Sequence, residues 1–140
     1  MHRHLVFGWW SLAAFLATGI VLEALWAMRV EWYVAESAAL RRLLWRLGHA
    51  HGTLFGLIHV AYGLCIRLEI GVGSRFASAC LLSASILMPG GFLLGGTFLY
   101  GNGGDPGLGI FLAPVGAVAM LFAVVVTAVQ TTRGIPEREQ

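Results

Sequence analysis

Three of the chain's five histidines fall in one segment, Gly48-His-Ala-His-Gly-Thr-Leu-Phe-Gly-Leu-Ile-His-Val-Ala-Tyr-Gly63. Imidazoles can ligate metals or move protons near neutral pH. Gly48, Gly52, Gly56 and Gly63 recur at spacings of four, four and seven, so on a helix they share one face. Such a small-residue stripe admits a neighbouring helix, or a flat ligand, at close range. His49 and His59 lie on the two shoulders of this face, while His51 projects well off it. His49 and His51 point in different directions, and His49 and His59 stand about 15 Å apart along the axis. One helix cannot bring these pairs onto a single ion, and no His-x-x-x-His or Glu-x-x-His pair exists. A compact zinc or di-iron site is therefore not expected. A haem needs only one or two axial histidines. His59 is level with Pro89-Gly-Gly91 and Pro114. There it can bond a carbonyl that a proline leaves without its N–H, or serve as a second axial ligand or proton relay.

Glu23 is the only carboxylate inside an apolar run. It can pair with Arg29 or Arg46, or it can orient an imidazole at the mouth of a pocket. Depth counting groups it with other polar residues. Glu23 lies six residues before Arg29, and His49 and His51 lie three and five past Arg46. Thr97, Tyr100, Asn102 and Asp105 close the third run and its loop. All fall within about 10 Å of one interface. The opposite interface offers Arg67, Glu69, Ser74 and Arg75, so polar chemistry is expected on the side of the first and third loops. Gly101-Asn-Gly-Gly-Asp-Pro-Gly107 is turn chemistry without the lysine or strand–loop–helix setting of a phosphate loop, which excludes nucleotide binding.

The elements that must position these residues are membrane helices. Of 140 residues, 58% are hydrophobic and 11% charged, with a mean hydropathy of +0.79. Soluble domains carry about 25% charged residues. Apolar runs at 5–28, 47–66, 76–99 and 108–129 are each long enough to cross about 30 Å of hydrocarbon. The expected fold is an all-α, integral membrane four-helix bundle forming one domain over 1–140. The first run is too long for a signal-peptide core and reads as a retained helix. Residues 37–46 read as an interfacial helical extension of the second span, with Arg41, Arg42 and Arg46 among phosphates and Trp45 in the aromatic belt. Residues 131–140 read as a solvated tail. Cys65 and Cys80 read as small buried hydrophobes. A net charge of +2 gives no argument for nucleic acid. The partner is the lipid bilayer, expected to be a bacterial cytoplasmic membrane. Five arginines against four leave the orientation open.

His49-Ala-His-Gly52-Thr-Leu-Phe55-Gly56, Gly91-Phe-Leu-Leu94 and the glycine-rich loop before the last run together resemble a group of small four-helix membrane proteins. The group includes styrene oxide isomerases and hydroxylaminobenzene mutases, which carry a histidine followed by a glycine and an Asn-Gly pair. The resemblance implies a homotrimer holding haem b between subunits, with the iron bound by the residue matching His49. That iron would act as a Lewis acid towards a small oxygen-bearing substrate. Phe55 stands where the family has asparagine, and Leu93 where it has an aromatic hydroxyl. Both departures bear on epoxide isomerisation rather than on haem ligation. The His-Ala-His-Gly run is also similar to haem-bearing helices of respiratory oxidases. The resulting expectation is a haem-binding oligomer with His49 as axial ligand and Gly52, Gly56 and His59 against the cofactor. Glu23, His51 and Tyr100 would line the mouth for isomerase-like or redox chemistry on a small apolar molecule. Two other readings stay open. One is a non-catalytic assembly or accessory subunit, and the other a small-solute or proton pathway through His59 and Glu23.

Overall fold

The computed structural model describes residues 2–68, 73–101 and 104–134, and these are all-helical with no strand among them. The elements are α1 (His2–Ala27), α2 (Glu31–Val34), α3 (Ala39–Arg67), α4 (Arg75–Thr97) and α5 (Leu112–Gly134). Short 3-10 turns at Glu36–Ala38 and Leu108–Phe111 lead into α3 and α5. Three helices are long and apolar enough to cross a membrane: α1, α4, and α5 with its leading turn, Leu108–Arg133. At 29 residues α3 has the length. Its histidines and glycines, and Arg41, Arg42 and Arg46 in its first third, dilute its apolar content.

The helices pack in chain order, α1 on α3, α3 on α4 and α4 on α5. The α1–α3 seam is antiparallel, with side chains of one helix seated over glycines of the other. Leu5 lies over Gly63, Leu12 over Gly56 and Phe15 over Gly52. In the opposite sense, Gly8 of α1 receives Val60 of α3. A β-carbon on Gly56 would come within 2.9 Å of the Leu12 side chain. The glycine stripe of α3 thus serves helix approach, which in lipid depends on close van der Waals packing. Gly48 is not part of that seam and faces Leu93 of α4. The α4–α5 interface works similarly, with Gly91 against the Ala113 backbone and Gly116 against Met88. Tyr62, Ala77, Leu81 and Ala123 form a core cluster joining α3, α4 and α5. Trp9, Trp10 and Ile20 on α1, and Leu121, Phe122 and Val125 on α5, face outward, as a lipid-facing surface requires.

The connections differ from the sequence expectation in three places. First, α1 starts at His2 rather than at residue 5, because His2, Arg3 and His4 contain no helix breaker and Arg3 and His4 find partners on α4. Second, the interfacial extension expected over 37–46 is interrupted: a 3-10 turn covers Glu36–Ala38, and α3 begins at Ala39. The Arg42 guanidinium ties this turn down by donating to the carbonyls of Tyr33 and Ala35, each at 2.6 Å. Third, residues 131–134, expected in a solvated tail, continue α5. Residues 135–140 lie outside the described residues. Arg29 closes α1 in the left-handed region, φ 49°. Its amide bonds the Trp26 carbonyl and that of Val30 bonds Leu25, which satisfies carbonyls that the helix end leaves open.

Candidate functional site

His49 sits on α3 opposite Gly19 of α1, whose missing side chain makes room for the imidazole. Its Nδ1 lies 2.7 Å from the Phe15 carbonyl and therefore carries the proton and donates. That bond fixes the ring orientation and leaves Nε2 as the lone-pair nitrogen, with no protein partner among the described residues. The imidazole lines an open groove of about 380 Å³ with Leu16, Gly19, Ile20, Leu22, Glu23 and Arg46. Glu23 and His49, grouped by depth in the sequence, thus share one cleft. The Arg46 guanidinium lies 5.4 Å above the Trp26 ring at the same end.

The other residues expected at this mouth go elsewhere. His51 bonds the Leu47 carbonyl of its own helix at 2.8 Å and rests against Phe92 of α4. Tyr100 is exposed in a turn after α4, where it exchanges backbone hydrogen bonds with Asp105. Neither lines the His49 groove. Asn102 and Glu69 lie outside the described residues. Gly52 and Gly56, expected against a cofactor, are covered by Phe15 and Leu12. Among the described residues, no group of three or more His, Cys, Asp or Glu side chains converges as a protein-only metal site would require.

His59 leads to a second polar cluster, at the opposite end of the same seam. His4 and His59 are 1% and 0% exposed, so every polar atom on them needs a partner. His4 Nδ1 and His59 Nδ1 are 2.8 Å apart, and the rings stack at 5.0 Å between centroids. His59 Nε2 is 2.9 Å from Ser85 Oγ, and His4 Nε2 bonds Ser78 Oγ. The outermost member is Arg3, whose guanidinium donates to Ser78 Oγ at 2.6 Å.

Donor counting assigns every proton. Ser85 Oγ donates to the Leu81 carbonyl at 2.8 Å, so it must accept from His59 Nε2–H. A neutral His59 then offers its Nδ1 lone pair, which takes the proton of His4 Nδ1–H. His4 Nε2 in turn accepts from the Ser78 hydroxyl, whose oxygen accepts from Arg3. The chain is continuous, unidirectional and complete with both imidazoles neutral.

This cluster corrects the expectation that polar chemistry is weighted to the side of the first and third loops. It also corrects the role of His59. Both its ring nitrogens are engaged, so neither is left for a second axial bond, and its partner is the Ser85 hydroxyl rather than a carbonyl released by proline. His4 precedes the first apolar run and reads in sequence as part of a polar end. One signal was present: Ser78 and Ser85 are seven residues apart and so share a face of α4.

No protein-family model matches the chain, and neither the curated proteins nor the solved structures contain a significant match to it.

Proposed function

We propose that the chain is a four-crossing membrane protein of a bacterial cytoplasmic membrane that binds haem b through His49 and acts, as an oligomer, on a small apolar oxygen-bearing molecule. The fourth crossing is α3. It is packed between α1 and α4, both of which have crossing length and composition, and a helix held between two such neighbours runs through the membrane with them.

The observation that carries the reading is the state of His49. Its Nδ1–H is committed to the Phe15 carbonyl, its Nε2 has no protein partner among the described residues, and its ring lines an open groove with Leu16, Ile20, Leu22, Glu23 and Arg46. An imidazole anchored through one nitrogen is prepared to ligate through the other. A porphyrin fits the donor set, because it needs one axial nitrogen from the protein rather than three converging ligands. Leu16, Ile20 and Leu22 supply apolar contact, and Arg46 a cation for a propionate. The iron, when bound, would supply a Lewis-acid or redox centre. Glu23 lines the same groove and supplies a carboxylate beside it. The groove opens outward between α1 and α3, so a second copy is the natural cover for the cofactor's other face.

A second reading, a non-catalytic accessory subunit, draws support from the glycine stripe, since Phe15, Leu12 and Leu5 occupy the space that a ligand would need there. Absorption spectroscopy of the detergent-purified protein separates the two. The haem reading expects a Soret band after haem supplementation that disappears in His49→Ala and persists in His51→Ala. No band in the wild type overturns it and leaves the accessory reading.

A further inference from the structure

The hydrogen-bonded chain at the terminus end of the seam joins two cavities. Its outer end, at Ser78 and His4, lines a polar cavity of about 130 Å³ shared with Arg3, Ser74 and Arg75. Its inner end, Ser85, lines a groove of about 400 Å³ between α1 and α4, together with Phe7, Trp10, Ser11, Phe15 and Pro89. Ser78 and Ser85 are seven residues apart on α4, so the chain advances about 10 Å into the membrane. The charged and titratable groups facing it are Arg3 from α1, Tyr62 from α3 and Arg75 from α4.

We propose that Ser78, His4, His59 and Ser85 form a proton relay that carries protons from water at the terminus side to the oxygen of a lipid-soluble molecule seated in the α1–α4 groove. The donors point in one direction, from Ser78 to Ser85. In one transfer the Ser85 hydroxyl turns from the Leu81 carbonyl to the occupant, passes its proton to the occupant's oxyanion and takes the proton of His59 Nε2. His59 Nδ1 takes the proton of His4 Nδ1, and His4 Nε2 takes that of the Ser78 hydroxyl. Ser78 is reprotonated by water in the outer cavity, which is left as hydroxide and carries the charge the occupant gives up. One proton enters and one leaves, both imidazoles change tautomer, and reorientation of the rings and hydroxyls resets the chain. Arg3 keeps its proton throughout and orients Ser78. The occupant's class follows from the groove, whose walls are aromatic and aliphatic and whose lining side chains carry polar atoms in the hydroxyls of Ser11 and Ser85 and the Trp10 indole N–H. A phenol-class molecule, arriving as its oxyanion and leaving as the neutral hydroxyl on an otherwise apolar body, fits that lining and can accept the proton. The relay is independent of His49 and of any haem.

The test is hydrogen–deuterium exchange of the imidazole N–H groups, read by NMR of histidine-labelled protein in liposomes transferred to D2O. In the wild type, His59 Nε2–H should exchange without helix opening. In Ser78→Ala exchange has to await local opening and should slow at least about tenfold, with helicity unchanged, while Ser78→Thr keeps the hydroxyl and the wild-type rate. Equal rates in wild type and Ser78→Ala overturn the relay. For the inner end the probe is 2-naphthol. It should shift the His59 Nε2 resonance in the wild type but not in Gly90→Leu, where a β-carbon meets nothing within 4 Å and the larger side chain fills the groove. No shift in the wild type, or the same shift in Gly90→Leu, overturns delivery to a groove occupant.

Discussion

The two ends of the α1–α3 seam hold the same chemical group in opposite states. At the terminus end, His4 and His59 are buried with all four ring nitrogens engaged. At the loop end, His49 lines a groove with one ring nitrogen engaged and the other without a protein partner among the described residues. A saturated buried cluster rigidifies the packing around it, because breaking any member leaves a polar atom alone in a low-dielectric interior. An unsaturated imidazole on a shallow cleft gives little to the fold and keeps its binding capacity. The seam between them is closed by Gly56 and Gly52 under Leu12 and Phe15, which keeps the two ends chemically separate.

Substitutions can break or sharpen this contrast. The largest effect is expected from His59→Ala, which removes a fully buried ring and strands the His4 and Ser85 groups. Denaturant unfolding in detergent should show a loss of about 3–5 kcal/mol. Gly52→Ala drives a methyl group into the Phe15 ring in the middle of the seam and should lose about 1–3 kcal/mol by the same measurement. Because the Phe15 carbonyl also orients His49, that variant should weaken haem uptake as well. His49→Ala removes one side-chain hydrogen bond and should change stability by about 1 kcal/mol or less while abolishing any Soret band. An effect as large as that of His59→Ala would remove the distinction between the two ends. The smallest change is expected from Gly90→Ala. Its β-carbon meets open space, so the variant should gain up to about 1 kcal/mol from helix propensity alone.

Legibility in the sequence differed between the two sites. Glu23, Arg46 and His49 could be grouped by counting residues from one interface, since an axial rise converts sequence position into depth. His51 and Tyr100 satisfied the same count and still fell outside the groove. Depth says nothing about azimuth: His51 turns towards Phe92, and Tyr100 lies in a turn beyond the helix end. The glycine stripe was visible, but the sequence could not say what fills it. The partners Leu5, Leu12 and Phe15 belong to another helix, and their register depends on how the two rods slide against each other.

The sequence by itself determined that the chain is helical and apolar enough for a membrane, because length and hydropathy of a run act locally and need no partner. It also determined which face of α3 could be approached closely, since glycine spacing and helical pitch decide that alone. Only the tertiary structure decided that Arg3 and His4, at the very start of α1, meet His59 of α3 and Ser78 of α4, and that His59 meets Ser85. Those contacts span 26 to 75 residues of chain. They exist because buried polar groups must find partners across helices when no water is present to serve instead.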